Sequence, residues 1–261
     1  MSENEIEDLQ TMKNGFFLKG NCDEAVLLLH GFGGTPVELL LAARSLNSIG
    51  LNVIAPRISG HGLSMEEERK SSYQDWIKFT RDEYMKAKNQ FKTLYVLGYS
   101  MGGALAMLLG SEFAVDGIIL YEPAIRIMVP FASLSYLLYP TKMKYTWPSS
   151  SYPEHTEKYL LGPSGFYYKS LADLLTLAKL SRKVLKSVTS PLLVFYSLND
   201  HLVSKKGIDE IMSECSSSIK VLKTFTNSSH SLPIDVDKKH AFKITGEFIL
   251  YLERNKNKEG K

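Results

Sequence analysis

Short apolar runs rich in Val, Ile and Leu recur along the chain at residues 25–29, 51–55, 93–97, 117–121, 192–196 and 220–225. Each run is nearly continuous rather than alternating, the pattern of strands buried on both faces of a parallel sheet. Segments of helical period separate them at 36–49, 73–88, 101–113, 205–213 and 237–253. Pro36 suits a first helical turn, where its missing N–H costs no hydrogen bond, and Gly50 suits a left-handed helix stop. Residues 16–19 are expected to add an edge strand. The pattern predicts an α/β domain: a mostly parallel central sheet flanked by helices.

Between 121 and 192 the alternation breaks. Residues 121–170 carry eight of the 14 tyrosines, two of the 12 phenylalanines and one of the two tryptophans. Pro123, Pro130, Pro140, Pro148, Pro153 and Pro163 forbid long regular elements there, until a helical pattern resumes at 168–186. A long aromatic-rich segment that leaves one core strand and returns before the next reads as an inserted cap. The expected division is a core of 1–122 and 188–261 with a small cap of 123–187.

Composition narrows the function. The 261 residues are 44% hydrophobic and 23% charged, close to the globular average, which excludes a disordered or fibrous chain. A net charge of +3, without a basic stripe interleaved with aromatics, argues against a nucleic-acid partner. Cys22 and Cys215 lie far apart without Cys-x-x-Cys spacing, so neither a disulfide framework nor a zinc site is indicated. The acidic start lacks the features of a secretory signal, and no apolar run approaches the roughly 20 residues needed to cross a bilayer. A soluble cytoplasmic protein is expected, a monomer or homodimer without stable membrane insertion, ending in a frayed polar tail at 255–261.

Gly98-Tyr99-Ser100-Met101-Gly102 directly follows an apolar run and opens a helical one. In such a strand-turn-helix a serine sits on a strained elbow with its hydroxyl exposed, and the flanking glycines let two backbones approach. A serine hydroxyl needs a base, and the base an orienting carboxylate. His230 follows the last strand and Asp200 ends the strand before it, so both reach the edge of the sheet where Ser100 lies. His201 reads as a loop residue pointing elsewhere, His240 as a solvated helix residue, and His155 as a polar cap residue. Acyl transfer also requires donors for a developing oxyanion. His30-Gly31-Phe32-Gly33-Gly34 follows the first core strand, and the backbone N–H groups of Phe32 and Met101 are the expected donors, with His30 bracing the loop. This glycine cluster lacks the Lys-Ser/Thr pair and G-x-G-x-x-G spacing of phosphate cradles.

These stretches, with Pro56-Arg57-Ile58-Ser59-Gly60-His61-Gly62, Asp75-Trp76, Asp200-His201-Leu202-Val203 and Ser229-His230 followed by Asp235, resemble the α/β hydrolase superfamily along nearly the whole chain, and within it the compact bacterial carboxylesterase and monoacylglycerol lipase group. The resemblance implies an α/β hydrolase fold, a Ser100, Asp200 and His230 triad, an oxyanion hole at Phe32 and Met101, and a cap over the pocket. Relatives often have glycine where Ser229 stands, which leaves the local turn open. Gly60-His61-Gly62 is expected to shape the pocket floor. Hydrolysis of a small-molecule carboxylic ester, of short- to medium-chain acyl type or a monoacylglycerol, follows through an acyl-enzyme on Ser100, with no metal or organic cofactor. Phe131, Phe166, Trp147, Leu134, Leu137 and Leu138 offer apolar walls for an acyl chain. A thioesterase, a carbon–carbon bond hydrolase with the same triad, or a non-catalytic binding module remain alternatives.

Overall fold

The apolar runs pair into one sheet in a computed structural model of the chain, which describes residues 3–129, 131–146 and 154–259. The strands among them are β1 (Gly15–Leu18), β2 (Glu24–Leu29), β3 (Asn52–Pro56), β4 (Thr93–Tyr99), β5 (Ile118–Tyr121), β6 (Lys144–Thr146), β7 (Gly165–Tyr167), β8 (Leu192–Ser197) and β9 (Lys220–Phe225). Seven form the central sheet in the order β1-β3-β2-β4-β5-β8-β9. Only β1, at the edge, runs antiparallel to its neighbour. All parallel strands therefore deliver their carboxyl ends to one edge, where α/β sheets gather their functional loops.

The helices are α1 (Glu3–Met12), α2 (Leu40–Ser48), α3 (Met65–Lys70), α4 (Tyr73–Gln90), α5 (Met101–Glu112), the single turn α6 (Ser135–Leu138), α7 (Tyr168–Lys183), α8 (Lys205–Glu214) and α9 (Lys238–Glu259). Alternate residues of β2 divide between the two faces. Ala25, Leu27 and Leu29 pack with Trp76, Leu105 and Ile208 from α4, α5 and α8, whereas Val26 and Leu28 pack with Ala43, Leu46 and Ile249 from α2 and α9. Both faces are buried, which is why the strands read as continuous apolar runs.

Three features go beyond or differ from the sequence expectation. The first four residues from Pro36 form a 3-10 turn before α2 begins. The acidic start is helical and seats Leu9 against Val37 and Leu40. Residues 255–259 continue α9 rather than fraying, because nothing in that Lys-, Asn- and Glu-rich stretch stops a helix.

The segment between β5 and β8 holds a 3-10 turn (Ala132–Leu134), α6, a 3-10 helix (Glu154–Tyr159) and α7. Within it β6 and β7 pair antiparallel. α7 anchors this excursion to the core: Leu171, Leu174 and Leu177 join the cluster built on α5, and Ser181 Oγ donates to the Ala104 carbonyl at 3.1 Å.

Candidate active site

Ser100 stands between β4 and α5 at φ 53°, ψ −114°, a left-handed conformation that costs a non-glycine residue energy and recurs at functional sites. Its neighbours make the turn possible. A Cβ on Gly98 would lie 2.3 Å from the Gly102 carbonyl oxygen, and one on Gly102 would lie 1.9 Å from that of Leu29. Ser100 N–H donates to Tyr121 O (2.9 Å) and its carbonyl accepts from Ala124 N–H (3.0 Å), so the turn after β5 clamps the elbow.

The three side chains singled out from sequence meet. His230 Nε2 lies 2.9 Å from Ser100 Oγ, and His230 Nδ1 lies 2.7 Å from Asp200 Oδ2. Asp200 Oδ1 accepts the N–H groups of Leu202 (2.7 Å) and Val203 (2.9 Å). Burial opposes charge on Asp200, but the facing His230 and these two N–H groups outweigh it and hold the carboxyl below its ordinary value.

Asp235 explains the serine at position 229. One of its oxygens accepts both the N–H and the hydroxyl of Ser229, each at 2.8 Å, and the other meets His155 Nε2 at 3.1 Å. The hydroxyl thus ties down the turn that carries His230, and His155 links it to the excursion. Asp237 braces the same loop by accepting from Asn227 N–H (3.2 Å) and Ser228 Oγ (2.9 Å).

Phe32 stands in the loop after β2, and Met101 opens α5 at its positive end. Among the described residues neither backbone N–H is committed to a protein acceptor. His30 holds the Phe32 loop as expected: its Nε2 accepts Ile58 N–H at 2.9 Å. The Phe32 ring packs against His61, Trp76 and Phe166, with centroids 5.7, 6.1 and 5.9 Å away. His61 is therefore a buried support behind this loop rather than pocket floor. Burial, foremost, pushes His30 down to about 3 and His61 down to about 4, so both stay neutral.

Ser100 and His230 border a cavity of about 640 Å³. Ile127, Met128, Leu134, Leu138, Leu171 and Leu174 form much of its wall. Phe131 and Phe166 line it too, whereas Leu137 is 75% exposed and faces away, and Trp147 lies outside the described residues. His201 also borders the cavity, contrary to the sequence reading, because the turn after Asp200 carries it over the opening.

Glu38 is the carboxylic acid lining this cavity, and nothing in Pro36-Val37-Glu38-Leu39 marks it as more than a first-turn acid. It is folded inward, where Oε2 accepts Gly31 N–H at 3.2 Å, and burial pushes it up to about 8. A carboxyl raised on folding stabilises the protein fully below its unfolded value of 4.5, and that stability is lost as pH rises through about 8. Between about pH 5 and pH 9 the parent should therefore lose several degrees more melting temperature than Glu38→Gln. Equal losses in thermal melts would show that Glu38 is not neutral in the folded protein.

Residues 20–237 match the model of the family described as Hydrolase_4, serine aminopeptidase, S33. The chain belongs to this family. It is an α/β hydrolase, an enzyme of the hydrolase class with the fold described above. It is 28% identical over 244 residues to the thermostable monoacylglycerol lipase of Bacillus sp. strain H-257, covering 89% of this chain and 93% of that protein. It is 27% identical over 240 residues to the carboxylesterase of Bacillus subtilis strain 168, covering 91% and 96%. A solved structure from the metagenome-derived lipolytic enzymes LipS and LipT superimposes on this α/β hydrolase with a TM-score of 0.83 at 22% identity, covering 93% and 98%. No helix among its described residues is long and apolar enough to cross a membrane, and no group of its His, Cys, Asp and Glu side chains there could hold a metal ion.

Proposed function

We propose that this α/β hydrolase cleaves carboxylic esters of short- to medium-chain acids, monoacylglycerols among them, through an acyl-enzyme on Ser100. The supporting observation is the unbroken line from Asp200 through His230 to Ser100, opening into an apolar cavity. Ser100 Oγ attacks the ester carbonyl carbon as its proton passes to His230 Nε2. Asp200 holds the imidazole with Nδ1–H toward itself, and the N–H groups of Phe32 and Met101 receive the oxyanion. Collapse breaks the ester C–O bond, and the alcohol leaves with the proton from His230. Water then attacks the acyl-enzyme by the same route and frees Ser100. Residues 123–187 serve as the cap that walls the acyl site, on a cytoplasmic enzyme active as a monomer or homodimer.

The relatives named a monoacylglycerol lipase and a carboxylesterase support an ester. The family description names an aminopeptidase. Holding a free α-amino group in an apolar cavity calls for an ionised carboxylate, and the carboxyl lining this one is raised to about 8. An ester, which brings no charge, suits it better.

The test is a series of p-nitrophenyl esters of increasing acyl length beside an acyl-coenzyme A and an aminoacyl amide, with a fluorophosphonate probe reporting the nucleophile. The parent should be labelled at Ser100 and turn over the esters with an optimum at short to medium chains. A kcat/KM higher on the thioester or the amide would replace the ester reading.

A further inference from the structure

Glu122, the residue after β5, has no place in the mechanism above, yet it lies within the same polar line. β5 and β8 run in parallel register with Tyr121 opposite Phe195. Glu122 then turns at φ 49°, with its N–H donating to Phe195 O at 3.2 Å. This left-handed backbone is strained for glutamate, and it turns the side chain inward, where the residue is completely buried. Ser197 Oγ donates to Glu122 Oε1 at 2.6 Å, and no donor of the described residues reaches Oε2. Asp200 lies three residues beyond Ser197, and its N–H donates to Ser197 O at 3.0 Å. The Asp200 charge acts on this buried carboxyl.

Two facing carboxylates cannot both be ionised in a dry site, and a hydrogen bond between them needs a proton. Asp200 has the better claim to the charge, with two backbone N–H groups on Oδ1 and His230 on Oδ2. Glu122 has one hydroxyl donor, and burial first, then the Asp200 charge, push its carboxyl well above the ordinary range. Tyr196, on β8, is the other ionisable group that senses both carboxyls, at longer range.

We propose that Glu122 is a positioning residue that stays protonated throughout the cycle and donates a hydrogen bond to Asp200, fixing the carboxylate that orients His230. It rests on the reading of Ser100, Asp200 and His230 given above. The line then runs Ser197, Glu122, Asp200, His230, Ser100, with each polar atom of Glu122 satisfied. The neutral donor also draws negative charge from Asp200, so its removal leaves a more basic carboxylate beneath the imidazole and favours the protonated ring.

The experiment compares the parent with Glu122→Gln and Glu122→Leu. Gln keeps the shape, accepts from Ser197 and donates an N–H to Asp200, so kcat should stay within about threefold of the parent. Leu removes the donor; kcat should fall about tenfold with KM changed less than about twofold, and the acid limb of the kcat/KM profile should move to higher pH. At neutral pH the parent-minus-Gln infrared difference spectrum should show one protonated-carboxyl band above the common background of Glu38 and Glu68, a readout that packing alone does not move and that stands even if the Leu variant fails to fold. A difference spectrum without that band, equal losses in Gln and Leu, or a Leu variant with parental kcat and pH profile would each overturn the proposal. Fluorophosphonate labelling separates the two failures. A parent that is not labelled ends the Ser100 reading, whereas a labelled parent with indifferent Glu122 variants ends only this one.

Discussion

Replacing Ser100 with alanine is expected to lower kcat/KM on p-nitrophenyl esters by about 10⁴- to 10⁶-fold and to abolish fluorophosphonate labelling. The substitution removes one oxygen. Alanine keeps the Cβ, so the positive φ at position 100 is neither relieved nor worsened, and the clamps through Tyr121 O and Ala124 N–H are backbone contacts that persist. What disappears is the atom 2.9 Å from His230 Nε2 that would form the bond to the acyl carbon. The N–H groups of Phe32 and Met101 remain, so a residue of activity above the uncatalysed rate is expected. The melting temperature should change by no more than a few degrees, which separates lost chemistry from lost fold. A variant that folds and retains a tenth of the parental rate would place the nucleophile elsewhere.

How much of this was legible in the sequence differs between the central sheet and the segment between β5 and β8. β2 and β4 announce themselves because every residue from Ala25 to Leu29 and from Leu94 to Gly98 is buried, which leaves no room for alternation. The elbow was legible because its glycines are steric necessities beside Leu29 and Gly103, not merely loop residues. That segment was harder. β6 and β7 are three residues each, too short to carry a period, and come together across 18 intervening positions. The N-terminal helix is acidic by composition, and its place depends on Leu9 meeting Val37 and Leu40, a contact that no local pattern encodes.

The buried acids were the least legible part. Glu38, Glu68 and Glu122 are charged residues in sequence, and charge ordinarily predicts exposure. Each is instead pushed upward by burial as the first cause, Glu38 and Glu68 to about 8. Glu38 touches the Phe32 loop through Gly31 N–H, and Glu122 accepts from Ser197, three residues before Asp200. The sequence thus marks Ser100, Asp200 and His230 well and the buried glutamates poorly, because neutrality is a property of surroundings assembled from distant strands.

That distinction gives the second large effect, Asp200→Asn. Leu202 and Val203 both donate N–H groups to Asp200 Oδ1. An asparagine must keep its carbonyl oxygen there, since an amide nitrogen would face two donors. The NH₂ is then forced toward His230 Nδ1, which has to accept rather than donate. The imidazole proton moves to Nε2 and points at Ser100 Oγ, so the ring cannot take the serine proton although every heavy atom is within a fraction of an ångström of its old place. A fall in kcat of about 10⁴-fold is expected, with KM much less affected. The same tautomer should slow fluorophosphonate labelling in proportion, because that reaction also needs the serine deprotonated. Full labelling at the parental rate alongside a 10⁴-fold loss of turnover would break the link between Asp200 and the tautomer. The carboxylate would then act at a step after Ser100 has attacked, and the line from Asp200 to Ser100 would have to be reread as support for deacylation alone.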